Sequence, residues 1–141
     1  MASNTEKGRT VIQMRLVVEA EDYEEALRFY RDVLGLPEEA AFGGDGDARV
    51  AILDAGRATL EIANPAQKRM IDDVEVGRQV APKMRVAFEV HDSAATTDAL
   101  VSGGAKLIAA PRETPWRSLN SRLSAPGGLQ ITLFQELDGN D

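Results

Sequence analysis

Met14–Asp22 reads MRLVVEAED, and seventy residues later Met84–Asp92 reads MRVAFEVHD. The pairs Met14/Met84, Arg15/Arg85, Glu19/Glu89 and Asp22/Asp92 are identical, while Leu16/Val86, Val17/Ala87 and Val18/Phe88 are apolar in both copies. Chance alone can produce a nine-residue echo, so the flanks must agree as well. Each copy leads into a helix-like segment containing Ala-Leu, Ala26-Leu27 and Ala99-Leu100. An internal repeat sets the architecture before any single residue does.

In Val11–Ala20, Met14, Leu16, Val18 and Ala20 share one face; Gln13, Arg15, Val17 and Glu19 share the other. Period two with one apolar face predicts a half-buried strand. Asp22 is placed as a helix N-cap, with Glu25 as its capping-box partner. Tyr23, Ala26, Leu27, Tyr30, Val33 and Leu34 recur at three and four, an amphipathic helix stopped by Gly35 and Pro37. Tyr30 and Phe42 read as core. Glu39–Phe42 predicts a short edge strand, and GGDGD at Gly43–Asp47 a hairpin loop without calcium-loop spacing. Arg49–Leu53 and Ala58–Ala63 predict two strands joined by a tight turn at Asp54–Arg57.

Asn64–Lys83 carries Asp72, Asp73 and Glu75 and has Pro82 near its end. About twenty residues without structure are unusual inside a domain, so this linker is expected to cover something, with a short helix near Ala66–Ile71. The second half repeats the plan. Lys83–Val90 predicts a strand, and Asp92 or Ser93 caps a helix through Ser102, ended by Gly103-Gly104. Lys106–Ala110 is a strand, Arg112–Ser118 a loop with Pro115 and the single tryptophan, Trp116. Arg122–Ser124 is a short strand, Ala125–Gly128 a turn, and Leu129–Leu137 the last strand. The order is strand, helix, three strands, twice. The expectation is one α+β domain: a disordered tail at 1–10, module one at 11–64, a linker at 65–82 and module two at 83–137.

The totals agree with that plan. A chain of 141 residues with 43% hydrophobic and 28% charged residues suits one domain with a real core. A net charge of −7 disfavours nucleic acid, which requires a basic stripe. No apolar run approaches a membrane span, and Met1–Thr10 lacks the apolar stretch of a signal peptide. The chain has no cysteine, hence no disulfide or thiol chemistry. A cytoplasmic, soluble protein is expected.

FYRDVLGL (Phe29–Leu36), following a strand and an acidic cap, and APGGLQITLFQ (Ala125–Gln135) near the end resemble the vicinal oxygen chelate superfamily. That group includes glyoxalase I, extradiol dioxygenases, and the fosfomycin and bleomycin resistance proteins. The resemblance covers Val11–Leu137. It implies two βαβββ modules pairing curved sheets into an incomplete barrel whose concave face holds a ligand, and it implies a homodimer. In the metal-dependent enzymes of the group, each module offers one ligand on its first strand and one on its last. Carried onto this chain, with Asp22 and Asp92 fixing the register, those positions are Arg15, Glu61, Arg85 and Thr132. Only Glu61 is a good metal ligand, because a guanidinium has no lone pair to offer and a divalent site needs several converging donors. The single histidine, His91, is off these positions. The metal site reads as lost, and no cofactor is expected.

In its place the resemblance puts an Arg15–Glu61–Arg85 cluster, whose surplus positive charge can meet an anionic or carbonyl oxygen of a ligand. The competing reading is that Arg15, Arg85, Glu19 and Glu89 form the wet face of two strands. Alternation puts Gln130, Thr132 and Phe134 on one face of the last strand, and Leu129, Ile131 and Leu133 on the opposite one toward a helix. Trp116, in TPWRSLNSRL, is placed to stack on an aromatic ligand; packing anchor is the other reading. Asn120 and Arg122 are hydrogen-bonding candidates, or plain surface. The function expected is a metal-independent small-molecule-binding protein of the sequestration or resistance type, with a partly aromatic ligand between modules. The alternative is a lyase, isomerase or dioxygenase-like enzyme with acid–base chemistry at Glu61. Pairing with arginine would weaken Glu61 as a base.

Overall fold

The computed structural model describes residues 13, 15–59 and 61–138. The expected tail at 1–10, with Val11 and Met14, lies outside the described residues. Helix α1 (Tyr23–Leu27) starts at Asp22, whose side chain accepts the Glu25 N–H at 3.0 Å, as its capping position predicts. The helix continues through a π-helical segment, Arg28–Val33, and Gly35 ends it at φ +92°. Strands β1 (Glu38–Gly43) and β2 (Arg49–Leu53) form an antiparallel hairpin. Helix α2 (Pro65–Glu75) follows, capped by Asn64, with its proline in the first turn. Then come β3 (Val86–Glu89), α3 (Ser93–Ser102), β4 (Lys106–Glu113), β5 (Ser118–Ala125) and β6 (Leu129–Glu136).

The second half thus forms the full strand, helix, three strands. Its sheet has the order β3-β6-β5-β4, with β3 parallel to β6 and the other pairs antiparallel. Among the described residues, module one forms only its helix and middle hairpin. Residues 15–20 and the described part of Ala58–Ala63 carry no strand pairing, contrary to the expectation from alternation. A strand exists only where a neighbouring edge accepts its backbone bonds, and among the described residues neither stretch pairs with one. Leu16, Val17, Val18 and Ile62 are accordingly exposed. The sheets are open and not closed into a barrel.

The core joins the halves. Phe29 from the π-helical segment packs with Leu100 of α3, Leu123 of β5, and Ile131 and Leu133 of β6. Leu123 faces Ile131 across the ladder, so one face of the sheet is apolar and points to the helices. Tyr30 packs against this cluster and donates its hydroxyl to the Pro126 carbonyl at 2.7 Å. Phe42 is 60% exposed, not core. Gly103 is demanded by close approach, because a Cβ there would lie 2.5 Å from Val33 Cγ1. Among the described residues no helix is long and apolar enough to cross a membrane.

Candidate functional site

The other face of the sheet is polar, and it is buried. Strand alternation places Ser118, Asn120 and Arg122 of β5 on this face. Thr132 of β6 pairs with Arg122 across the ladder, and Gln130 pairs with Ser124 two residues further. Helix α2 lies over them. Asp72 and Glu75 are three residues apart, so both point from one side of α2. Each is buried against Arg122, which has no exposed surface itself.

Arg122 is the hub. Its Nη1 donates to Asp72 Oδ1 and Gln130 Oε1, both at 2.8 Å, and its Nη2 donates to Glu75 Oε1 at 2.7 Å. Its Nε is shared between Glu75 Oε1 and Thr132 Oγ1, each at 3.1 Å. Thr132 Oγ1 donates to Glu75 Oε1 at 2.8 Å and accepts from Arg85 Nη1 at 2.9 Å. Asn120 Nδ2 donates to Glu75 Oε2, while Ser118 Oγ donates to Asn120 Oδ1; Thr114 Oγ1 lies 2.9 Å from Ser118 Oγ. Asp72 Oδ2 accepts the backbone N–H groups of Val80 and Ala81, which ties down the chain after α2. No buried side-chain polar atom among the described residues lacks a partner, as two buried carboxylates require.

Charge states follow from these contacts. Burial pushes the Asp72 carboxyl up, but the Ala81 N–H, the Arg122 guanidinium and the Val80 N–H outweigh it and hold the group below its ordinary range. Burial pulls the Arg85 guanidinium below its ordinary value, against the pull of the Glu75 carboxylate; the Arg122 charge acts in the same direction as burial. Arg85 forms no ion pair among the described residues and has the Thr132 hydroxyl as its side-chain partner.

Five of the nine expected site residues meet here: Arg85, Asn120, Arg122, Gln130 and Thr132. Phe134 follows on β6 and is half-buried. Trp116 is 45% exposed in the β4–β5 turn, between Thr114 and Ser118. Asn120 and Arg122 are buried, not surface. The Arg15–Glu61–Arg85 cluster does not assemble. Arg15 is exposed and donates to Gln13, because the strand meant to carry it inward has not formed. Glu61 is exposed and reaches Arg85 only through a weak electrostatic pull. Asp72 and Glu75 take the carboxylate's place. Their spacing on one helix face was readable in the sequence, but the expected helix ended at Ile71, one residue short of Asp72 and four short of Glu75.

A metal is a poor fit to these residues. Thr132 Oγ1 already donates once and accepts twice, which exhausts a hydroxyl. Two guanidinium groups flank it, and like charge disfavours a divalent cation. Among the described residues no group of three or more His, Cys, Asp or Glu is placed to hold a metal ion. A separate open groove, lined by Glu19, Glu21, Asp22, Glu24, Asp47 and Arg49 among others, shares no residue with the Arg122 network.

With this geometry in view, the chain can be placed among known proteins. The model of the Glyoxalase/Bleomycin resistance protein/Dioxygenase superfamily matches residues 13–140, and the chain belongs to that family. Solved structures agree on the fold. A glyoxalase family protein from Bacillus cereus is 18% identical with a TM-score of 0.64, covering 92% of this chain and 97% of its own. A glyoxalase-related enzyme from Fulvimarina pelagi is 18% identical with a TM-score of 0.55, covering 89% of each chain. A hypothetical protein from S. aureus is 11% identical with a TM-score of 0.56, covering 94% of this chain and 99% of its own. A search of curated proteins finds no match. At such identities the likeness speaks for the fold alone, since one fold hosts many functions.

Proposed function

We propose that this chain is a metal-independent small-molecule-binding protein of the glyoxalase/bleomycin resistance superfamily, of the sequestration or resistance type. The observation that carries the reading is the chemistry at two family ligand positions. Arg85 and Thr132 bond to each other, and Arg122 beside them fills the space with a second guanidinium. Such a face recognises an anionic or carbonyl oxygen by directed N–H donors. The exposed Trp116 ring, in the turn that begins the Thr114–Ser118–Asn120 chain, supports an aromatic portion in the ligand.

A thermal-shift screen against small aromatic compounds, run with and without a chelator, tests this. The reading predicts stabilising hits that survive chelation; a set in which none stabilises overturns it. The enzyme alternative rests on Glu61, and an exposed Glu61 away from the Arg122 network gives it little support. Glu61→Gln is expected to leave ligand affinity unchanged, measured by titration calorimetry; turnover that depends on Glu61 would favour the enzyme. The chain is further proposed to work as a cytoplasmic homodimer. Exposed Leu16, Val17, Val18 and Ile62 along unpaired stretches support a partner at that surface. Sedimentation equilibrium checks it: a dimer mass is expected, and a monomer at high concentration contradicts it.

A further inference from the structure

Helix α2 is held in an unusual way. Its only fully buried side chains are two acids, Asp72 and Glu75, and it contributes nothing to the apolar core cluster. Buried ion pairs roughly break even against their own desolvation, so this docking rests largely on exchangeable polar contacts, with Ile71 and Val74 of the helix only partly buried. The helix ends are set by local signals. Asn64 caps the start from an extended conformation, and Gly77, just beyond the end, has φ +88°.

Charge balance then decides how an anion can enter. Arg85 and Arg122 carry two positive charges; Asp72 and Glu75 carry two negative ones. A further carboxylate added to this face would leave an uncompensated buried charge, which is strongly disfavoured. A carboxylate that replaces Glu75 keeps the sum at zero and inherits the donors of Arg122, Thr132 and Asn120 that Glu75 now uses. Arg85, whose side chain bonds to Thr132 among the described residues, stands beside that place with further N–H donors.

We propose that Glu75 is a built-in stand-in for the ligand's acid: a small aromatic carboxylate takes its place on Arg122, Thr132 and Asn120, with Arg85 alongside, and the last turn of helix α2, which carries Glu75, swings out while Asp72 keeps its place on Arg122. This rests on the small-molecule-binding reading above and names both its ligand class and its gate. A ligand that must first displace a closed helix turn binds with an apparent affinity reduced by the fraction of open protein.

The test uses benzoate as probe and benzamide as its neutral counterpart, with hydrogen exchange of the amides in Pro65–Glu75 as readout. Benzoate is expected to bind and to speed exchange in this helix, whereas benzamide does neither. Glu75→Gln is expected to bind benzoate about tenfold more tightly, because the latch is weakened. Benzoate binding with unchanged or slower exchange in α2 overturns the displacement but leaves the binding reading standing. No benzoate binding to either protein overturns the carboxylate subsite. The binding reading then falls only if the broader aromatic screen is also empty. Should Glu75→Gln fail to fold, the exchange readout on the unaltered chain decides alone.

Discussion

Around Arg122, a guanidinium without solvent contact is matched to Asp72, Glu75, Thr132 and Gln130. Removing it leaves two buried carboxylates without their cationic partner. Arg122→Met is therefore expected to destabilise the protein by about 3–5 kcal/mol, the cost of breaking a buried pair from one side; the urea midpoint measures it. Asp72 adds a pH signature. Its folded-state carboxyl titrates below the ordinary 3.8, so the unfolded chain binds the proton first. The stability this group contributes is complete above 3.8 and is lost as pH falls through the depressed value. Urea unfolding followed from neutral to acid pH should lose part of that slope in Asp72→Asn; an unchanged slope would mean that the Asp72 contacts do not form in solution. The family resemblance pointed to Arg85 and Thr132, alternation along the last strand to Gln130 and Thr132, and nearness to Trp116 to Asn120 and Arg122, for which plain surface was the other reading. None of these pointed to Asp72 and Glu75, because alternation along strands says nothing about a linker that crosses over them.

At the scale of elements, caps and stops were the most legible features. Asp22 and Asp92 each accept the backbone N–H three residues on, and Gly35 adopts the left-handed conformation that ends the first helix. These signals are local, so one chain segment contains all the physics. Strands were less legible. Ser118–Ala125 is longer than the three residues its hydrophobicity suggested, since its polar residues are buried, Asn120 and Arg122 against α2 and Ser121 against Thr97 of α3. Residues 15–20 alternate like a strand yet remain unpaired, because pairing depends on an edge elsewhere. The contact between the first and third helical segments is tight at Gly103, where a Cβ would meet the stiff Val33 side chain. Gly103→Ala is expected to cost about 1–3 kcal/mol by overpacking. Thermal unfolding checks it, and a variant as stable as the parent would mean that the two helices sit further apart.

For the whole molecule, the repeat announced two similar halves, but among the described residues only one completes its sheet. The completed half supplies both faces that matter: an apolar one that packs Phe29, Leu100, Leu123, Ile131 and Leu133, and a polar one built on Arg122. The family fold was readable because period, caps and terminal motif agree with each other. The content of the ligand face was readable only in part, because the acids that balance it arrive from a linker outside the repeat. The account turns on that face binding an oxygen-bearing ligand through guanidinium groups without a metal. The most direct measurement is the dissociation constant of a hit from the aromatic screen, determined by calorimetry in the presence of a chelator for the unaltered chain and for Arg85→Ala. The prediction is an affinity that the chelator leaves unchanged and that Arg85→Ala weakens about tenfold or more, as loss of a charge-assisted contact should. Binding that disappears with the chelator, or that ignores the loss of Arg85, would contradict it.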